Sequence, residues 1–162
     1  SRDITLHFTK GELTGIDDQN FSSKVDAIKH LQKIAQGYAI GRDIHVGDTI
    51  IGIKGRVGFE AAAPMIIIKA HHLLEKHTLS KWQMHWKDQL GNWYGMMIHE
   101  AQFLDPVMRD IEAFLESSQE TVTGEVKVRL HPYRFELLGI RSENDLLQSK
   151  AGQYGEVNKA WM

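Results

Sequence analysis

The sequence contains no cysteine, which excludes disulfide bonds, zinc sites built on thiolates and cysteine nucleophiles. It also lacks a long hydrophobic run. The longest run, residues 61–68, contains Pro64 and is far shorter than the roughly 20 residues that span a bilayer. No signal peptide is recognisable. We therefore expect a cytoplasmic protein with no membrane partner.

An excess of charge of one sign is absent as well. The 19 Lys and Arg residues nearly balance the 21 Asp and Glu residues, which gives a net charge of −2 at pH 7. Because so small a net charge creates no global attraction, we do not expect a nucleic-acid partner. The glycine patterns of the P-loop and of G-x-G-x-x-G are missing, and so is the serine-hydrolase pattern G-x-S-x-G. The chain therefore shows no nucleotide cradle and no assignable catalytic nucleophile.

The amino-acid composition is typical of a globular domain, with 42% hydrophobic and 25% charged residues in a chain of 162. Period-two alternation or a short apolar run predicts strands at residues 4–8, 13–16 and 50–53 and a further hairpin within residues 124–140. Helical spacing and capping residues predict helices over residues 23–36 and 66–77, a third from Ser80 and a fourth from Asp105-Pro106. Hairpins at both ends of a helical middle favour an α+β fold over a doubly wound sheet.

Two groups of side chains on the predicted helices suggest chemistry. His71 and Glu75 lie one helical turn apart and His77 follows, but the metalloprotease pattern H-E-x-x-H is absent and His71 and His77 are about 600° of helix rotation apart. A solvated helix face without a metal is the favoured interpretation. The second group, Trp82, Trp86, Trp93 and Met97, shares one face of the next helix and is typical of a core or subunit interface rather than a cofactor wall.

Residues 41–64 contain five glycines and six charged side chains. Lys54 and Arg56 follow the apolar residues 50–53 and lie two apart, on one side of an extended chain. Glu60 comes just before the next predicted helix, where a carboxylate interacts favourably with the helix dipole. Two interpretations stay open: a structural junction in which Glu60 caps the helix and the cations are solvated, or a rim that binds a carboxylate or phosphate.

The amino-acid sequence of this region and of its surroundings resembles that of one protein family. IGIKGRVGFEAAAP, followed by IIIKAHHLLEKHTLSKWQMHWK, is similar to argininosuccinate synthases, which usually read I-G-x-K-S-R-x-x-Y-E-x-P-A and then A-H-x-x-L-E-K-x-T-L. Further matches are FLDP at residues 103–106, SQE and VTGEV within residues 118–126, and GIRS at residues 139–142. The resemblance extends over residues 1–162 as one domain and corresponds to the C-terminal part of that enzyme.

The resemblance implies an ATP-dependent ligase of arginine biosynthesis. In that family ATP, with Mg²⁺, adenylates citrulline, the aspartate amine displaces AMP, and argininosuccinate and pyrophosphate result. The ATP-binding loop S-G-G-x-D-T-S belongs to an N-terminal domain that is not in this sequence, and Trp161-Met162 stops before the usual C-terminal tail. We therefore expect an excised domain, inactive alone, that completes a citrulline pocket and builds a homotetramer. A stand-alone oligomerisation or interaction module without ligase activity is the alternative.

The substrate residues implied by the resemblance lie within the glycine-rich region, and the chain departs from the family at two of them. An ungapped alignment places Gly47 where the family has a citrulline-binding glutamate and Phe59 where it has a tyrosine. Asp48 is next to the first position, but a shift of one residue turns a side chain to the other face of a strand unless the backbone bulges. Either Asp48 takes over and citrulline is used, or the substrate is an N-acyl-citrulline without an α-ammonium group. Lys54, Arg56 and Glu60 are retained.

Overall fold

The computed structural model describes residues 1–148, so Trp161-Met162 lies outside the described part. The strands are β1 (Arg2–Thr9), β2 (Glu12–Ile16), β3 (Gln19–Asn20), β4 (Arg42–Asp48), β5 (Lys54–Glu60), β6 (Gly124–His131) and β7 (Arg134–Arg141). The helices are α1 (Lys24–Ala35), α2 (Ala62–Thr78), α3 (Lys81–His99) and α4 (Val107–Gln119). Helices and antiparallel sheets are both present and do not alternate regularly, which confirms the α+β prediction. In residues 1–148, no helix is apolar over a bilayer-spanning length.

The hairpins predicted at the two ends of the chain join into one antiparallel sheet, with strand order β3-β2-β1-β6-β7. β1 lies at the centre, where Leu6 is opposite Ile16 on one side and Val126 on the other. Alternate residues of β1 and β6 face the core and are buried, as the period-two pattern predicts: Ile4, Leu6, Phe8, Val126, Val128 and Leu130. α1 and α2 cover this face, and Leu31 and Leu74 are fully buried against it.

Three of the four predicted helix starts are confirmed at the level of single hydrogen bonds, whereas α2 begins at Ala62 and not at residue 66, because Pro64 is tolerated in its first turn. Ser23 Oγ accepts a hydrogen bond from the backbone N–H of Asp26 (3.3 Å). Ser80 and Gln83 form a reciprocal capping box at the start of α3. Asp105 Oδ1 accepts from the N–H of Val107 (3.0 Å) and so satisfies a free donor at the start of α4.

The strand predicted at residues 50–53 is wrong, because these residues form the tip between β4 and β5. Thr49 closes the tip: its carbonyl accepts from the N–H of Gly52 (2.8 Å) and its hydroxyl accepts from the N–H of Ile53 (3.2 Å). Gly52 has φ +77°, a left-handed conformation that suits glycine. The two strands are instead the charged segments on either side of the tip, and β4–β5 forms a separate two-stranded sheet.

The aromatic face of α3 does not belong to the core. Trp82, Trp86 and Trp93 are 62%, 54% and 59% exposed, so they are not core residues within this chain, and a subunit interface stays the prediction for this face. The opposite side of the helix makes the contacts, since Met84 packs against the core and Tyr94 Oη donates to Glu112 of α4 (2.8 Å). Helical spacing identified a common face correctly but could not show which face is covered.

Candidate functional site

All six candidate substrate residues lie on the β4–β5 hairpin. Its ladder pairs Arg42 with Glu60, Gly47 with Gly55 and Asp48 with Lys54 in continuous register, without a bulge. Paired residues of an antiparallel ladder point to the same face, and successive residues point to opposite faces. The hairpin therefore has two chemically different faces.

The first face carries Gly47 and Phe59, the two positions at which the chain departs from the expected pattern. The second face carries the charged candidates Asp48, Lys54, Arg56 and Glu60. The structure thus separates residues that the sequence analysis placed in a single pocket wall. A small ligand near Gly47 on the first face meets the paired glycine Gly55 and the aliphatic side chain of Val57, and Phe59 lies four residues further along the hairpin. A ligand on the second face meets charge.

Charges on the second face are mostly paired. Lys54 Nζ donates to Asp48 (2.8 Å), and Arg42 Nε donates to Glu60 Oε2 (3.2 Å). Because these pairs are exposed, each contributes little to stability, about 0 to 1 kcal/mol. Arg56 has no acidic partner within residues 1–148, so its guanidinium is the cation on this face that is available to an anion.

Glu60 does not cap α2. The helix begins at Ala62 with no side-chain cap from the residue before it, and Gln32 of α1 supplies the acceptor instead, with Oε1 2.9 Å from the N–H of Ala63. The structural interpretation of Glu60 as a cap is therefore wrong, because an ion pair with Arg42 takes its carboxylate. The hydrogen bond from Gln32 ties the root of the hairpin to α1.

Two histidines that the sequence analysis missed lie beside the first face. His45 is two residues before Gly47 on that face, and its ring covers Gly47 so closely that a Cβ at position 47 would collide with Nε2. His99, the last residue of α3, lines the same cavity, which has a volume of about 420 Å³. Strand alternation could have found His45. Nothing in the local sequence brings His99 to the hairpin.

Asp48 does not reach the position of the missing glutamate. The unbulged ladder turns its side chain away from the face of Gly47, and its carboxylate is held by Lys54. A change in the conformation of β4 would be needed before Asp48 could bind a cation on the first face.

The histidine cluster on α2 is a buried polar network rather than the predicted solvated face. Glu75 is fully buried; it accepts from Lys87 Nζ (2.8 Å) of α3 and from Gln119 Nε2 (2.9 Å) of α4. His71 Nε2 lies 2.9 Å from Gln119 Oε1. Within residues 1–148, no three histidine or acidic side chains are grouped to hold a metal. The prediction of solvation is wrong because α3 and α4 cover this side of α2.

Burial lowers the pKa of His71 below its usual value of 6.5, and the nearby Glu75 carboxylate (3.7 Å from Nδ1) opposes this shift. At neutral pH the ring is therefore neutral, and Nε2–H donates to Gln119. The network joins α2, α3 and α4 through one carboxylate. It stabilises the position of α3, whose last residue, His99, borders the hairpin cavity.

Comparison with known proteins gives consistent matches along the chain. The model of the family described as "Arginosuccinate synthase C-terminal domain" matches residues 1–160. Argininosuccinate synthase of Xanthomonas campestris pv. campestris is 34% identical over 153 residues, which cover 94% of this chain and 38% of that protein. The enzymes of Dictyoglomus turgidum and Pyrococcus furiosus are 35% and 30% identical, with 93% of this chain covered in each case. The chain thus spans less than two fifths of the length of these relatives.

Proposed function

Because the chain belongs to the family of argininosuccinate synthase C-terminal domains, we propose that it is the substrate-binding and assembly domain of a longer ATP-dependent carbon–nitrogen ligase. The parent enzyme condenses a citrulline-type substrate with aspartate and produces argininosuccinate, AMP and pyrophosphate. The observation that carries this proposal is the family match over residues 1–160, with the retained Lys54, Arg56 and Glu60 on one hairpin.

The hairpin has the properties of a wall that closes on a ligand. Its side chains are exposed on both faces, and it emerges from a rigid body that holds its root through Gln32 and Ala63. On the charged face, Arg56 is free to bind a substrate carboxylate or phosphate through its forked donors. On the other face, Gly55 and Val57 offer room and an apolar edge to the body of the substrate.

ATP and Mg²⁺ belong to another part of the parent enzyme under this proposal. Residues 1–148 contain no metal-ligand group of three, and the sequence has no glycine-rich phosphate loop. Adenylation requires phosphates that are positioned for transfer, and this chain offers no such cradle. We expect no sub-micromolar ATP binding to the 162-residue chain in calorimetric titration, and tight binding would contradict this assignment.

The decisive experiment uses the longest protein encoded in the reading frame of this chain. Incubation with ATP, aspartate and citrulline or N-acyl-citrulline should release pyrophosphate, and omission of aspartate should abolish formation of the condensed product. Arg56→Ala should reduce kcat/KM by about ten-fold to a hundred-fold, as expected for loss of a charged hydrogen bond to the substrate. Absence of pyrophosphate release with every ureido substrate would overturn the ligase proposal.

The exposed face of α3 favours a second role, in assembly. Trp82, Trp86 and Trp93 form an apolar surface that is more than half exposed, and tryptophan is enriched in the centres of protein interfaces. We propose a second copy of this chain as the partner, with a homotetramer as the assembly of the parent enzyme. A stand-alone oligomerisation module would use the same surface.

Analytical ultracentrifugation tests this role. The 162-residue chain should form dimers or larger species, and Trp86→Ser should shift the mass distribution towards the monomer. Asn92→Ala is the matched control, since Asn92 is exposed on α3 outside the tryptophan face. A monomer at high concentration would contradict self-association through this surface.

A further inference from the structure

The cavity between the hairpin and the end of α3 has an unusual floor. Gly47 and Gly55 are directly opposite each other in the ladder, so two neighbouring positions carry no side chain. The walls are aliphatic and come from Val57 and from the tip residues Ile50 and Ile51. A cavity of about 420 Å³ with mostly apolar walls has the size of a site for a small organic group.

The polar groups at this cavity can donate hydrogen bonds to an oxygen ligand. His45 covers Gly47, and His99, the last residue of the 19-residue helix α3, lines the same cavity, so two imidazole rings are available as N–H donors. Asp48 also borders the cavity, but its carboxylate is neutralised by Lys54. Two imidazoles beside an aliphatic wall match a ligand that combines methylene groups with a carboxylate.

A free α-ammonium group at Gly47 would find no available carboxylate beside it on the described hairpin. Asp48 pairs with Lys54, Glu60 pairs with Arg42, and Asp43 Oδ1 accepts from the N–H of Ile44 (2.7 Å). Asp43 is moreover four residues from Gly47 along β4, about 13 Å in an extended strand. A free α-ammonium group at Gly47 would therefore lack the charge-assisted hydrogen bond that a carboxylate beside it would supply.

We propose that this cavity receives an acyl group carried on the α-nitrogen of the citrulline-type substrate, and that the acyl chain ends in a carboxylate. The inference rests on the proposed ligase function and deepens it. The aliphatic walls pack against the methylene groups, His45 and His99 bind the terminal carboxylate, and Gly55, which the His45 ring does not cover, leaves space for the amide. Acylation makes the α-nitrogen neutral, so no partner carboxylate is required.

The test compares three substrates in the protein encoded by the full reading frame. With ATP and aspartate fixed, kcat/KM for pyrophosphate release should be about ten-fold to a hundred-fold higher for N-succinyl-citrulline than for citrulline, with N-acetyl-citrulline between them. His45→Gln should remove most of the difference between the succinyl and acetyl substrates. Gly47→Glu should reverse the order, because its side chain displaces the His45 ring, repels the succinyl carboxylate and pairs with the ammonium of citrulline. Val46→Thr, on the opposite face of β4, is the matched control and should leave the order unchanged.

A clear preference for free citrulline that His45→Gln does not alter would overturn the acyl cavity while leaving the ligase proposal intact. If no substrate releases pyrophosphate, the ligase proposal fails, and the cavity is tested separately in the 162-residue chain. Titration with N-succinyl-citrulline should then shift the imidazole resonances of His45 and His99 in nuclear magnetic resonance spectra, and Gly47→Glu should abolish the shifts. Unshifted resonances would overturn the cavity assignment as well.

Discussion

Two regions of this chain use apolar side chains in opposite ways. In the body, which consists of the five-stranded sheet with α1 and α2, residues such as Leu6, Leu31 and Leu74 are completely buried. On the β4–β5 hairpin and α3, residues of the same kind are exposed, and Ile51 and Trp82 reach 79% and 62%. The body buries most of its apolar side chains, although Val25 of α1 and Ile68 of α2 are exposed, whereas the hairpin and α3 present most of theirs outward. The difference indicates that these two elements serve contacts beyond the chain.

The sharpest test of this difference is a matched pair of aliphatic truncations. Leu31→Ala removes a fully buried side chain and should lower the free energy of unfolding by about 3 kcal/mol. Ile44→Ala truncates a side chain that is 60% exposed on the hairpin and should change it by less than about 0.5 kcal/mol. Urea denaturation of the two variants gives both values. Equal losses would mean that the hairpin is buried in solution and would remove the contrast.

A second test addresses the buried charge that joins α3 to the body. Glu75→Gln removes the buried counter-charge of Lys87, which then keeps only the longer contact to Asp88 (3.6 Å). It should cost about 2 kcal/mol, less than the loss of a fully dry ion pair, because Lys87 is 21% exposed. Glu116→Gln, on the exposed side of α4, should cost less than about 0.5 kcal/mol. The measurement is again the urea midpoint at neutral pH. A cost for Glu75→Gln as small as that of the control would show that α3 is held by packing alone.

The pH dependence of stability gives a smaller signal from the same network. The pKa of His71 is lowered by burial, so between its folded value and about 6.5 the unfolded chain binds more protons than the folded chain. Stability should therefore fall as the pH decreases below about 6.5, until the folded pKa is passed. Near His71 stand Glu75 and His72 of α2, Lys87 of α3 and Gln119 of α4.

Subtracting the free energy of unfolding of His71→Gln from that of the wild type between about pH 5 and pH 7 isolates this contribution. The difference should decrease on acidification. A difference that stays flat or rises as the pH falls would show that His71 is protonated as readily in the folded chain as in the unfolded one.

The smallest expected effect is a stabilisation at the end of α3. Ala101 has φ +60°, and the N–H of the next residue, Gln102, bonds the carbonyl of Met97 (2.8 Å), as in a helix stop that favours glycine. Ala101→Gly should raise the free energy of unfolding by about 0.5 to 1 kcal/mol. Ala113→Gly, at an exposed position within α4, is the control and should lower it by a similar amount. Destabilisation by both would show that this turn does not hold Ala101 in the left-handed region.

Features that depend on neighbouring residues were predictable from the sequence. Ser23 and Ser80 start helices because their hydroxyls bond nearby N–H groups, and the alternation in β1 and β6 identifies a half-buried sheet. The apolar residues 50–53 were wrongly predicted to form a strand. Thr49 and Gly52 close a turn there, which the β propensity of the apolar residues does not reveal. Local closure of the chain outweighed the side-chain preference there.

Features that depend on distant contacts were not predictable. Glu75 is buried only because α3 and α4 cover α2, and no sequence pattern indicates that cover. The candidate site was found as a segment, but its division into two faces required the register of β4 and β5, which fixes Gly47 against Gly55. Once the register is known, alternation assigns every side chain of the hairpin.

The position of β1 at the centre of the sheet has a consequence for the order in which the protein is made. β2 follows within a few residues, but the other neighbour, β6, pairs Val126 with Leu6 about 120 residues later. At a synthesis rate of about 5 to 20 residues per second, the edge of β1 that pairs with β6 stays without a partner strand for roughly 6 to 24 seconds. During this interval an apolar strand has unpaired backbone groups, which invites pairing with other chains. The newly made chain is therefore most vulnerable to aggregation before the hairpin of β6 and β7 emerges.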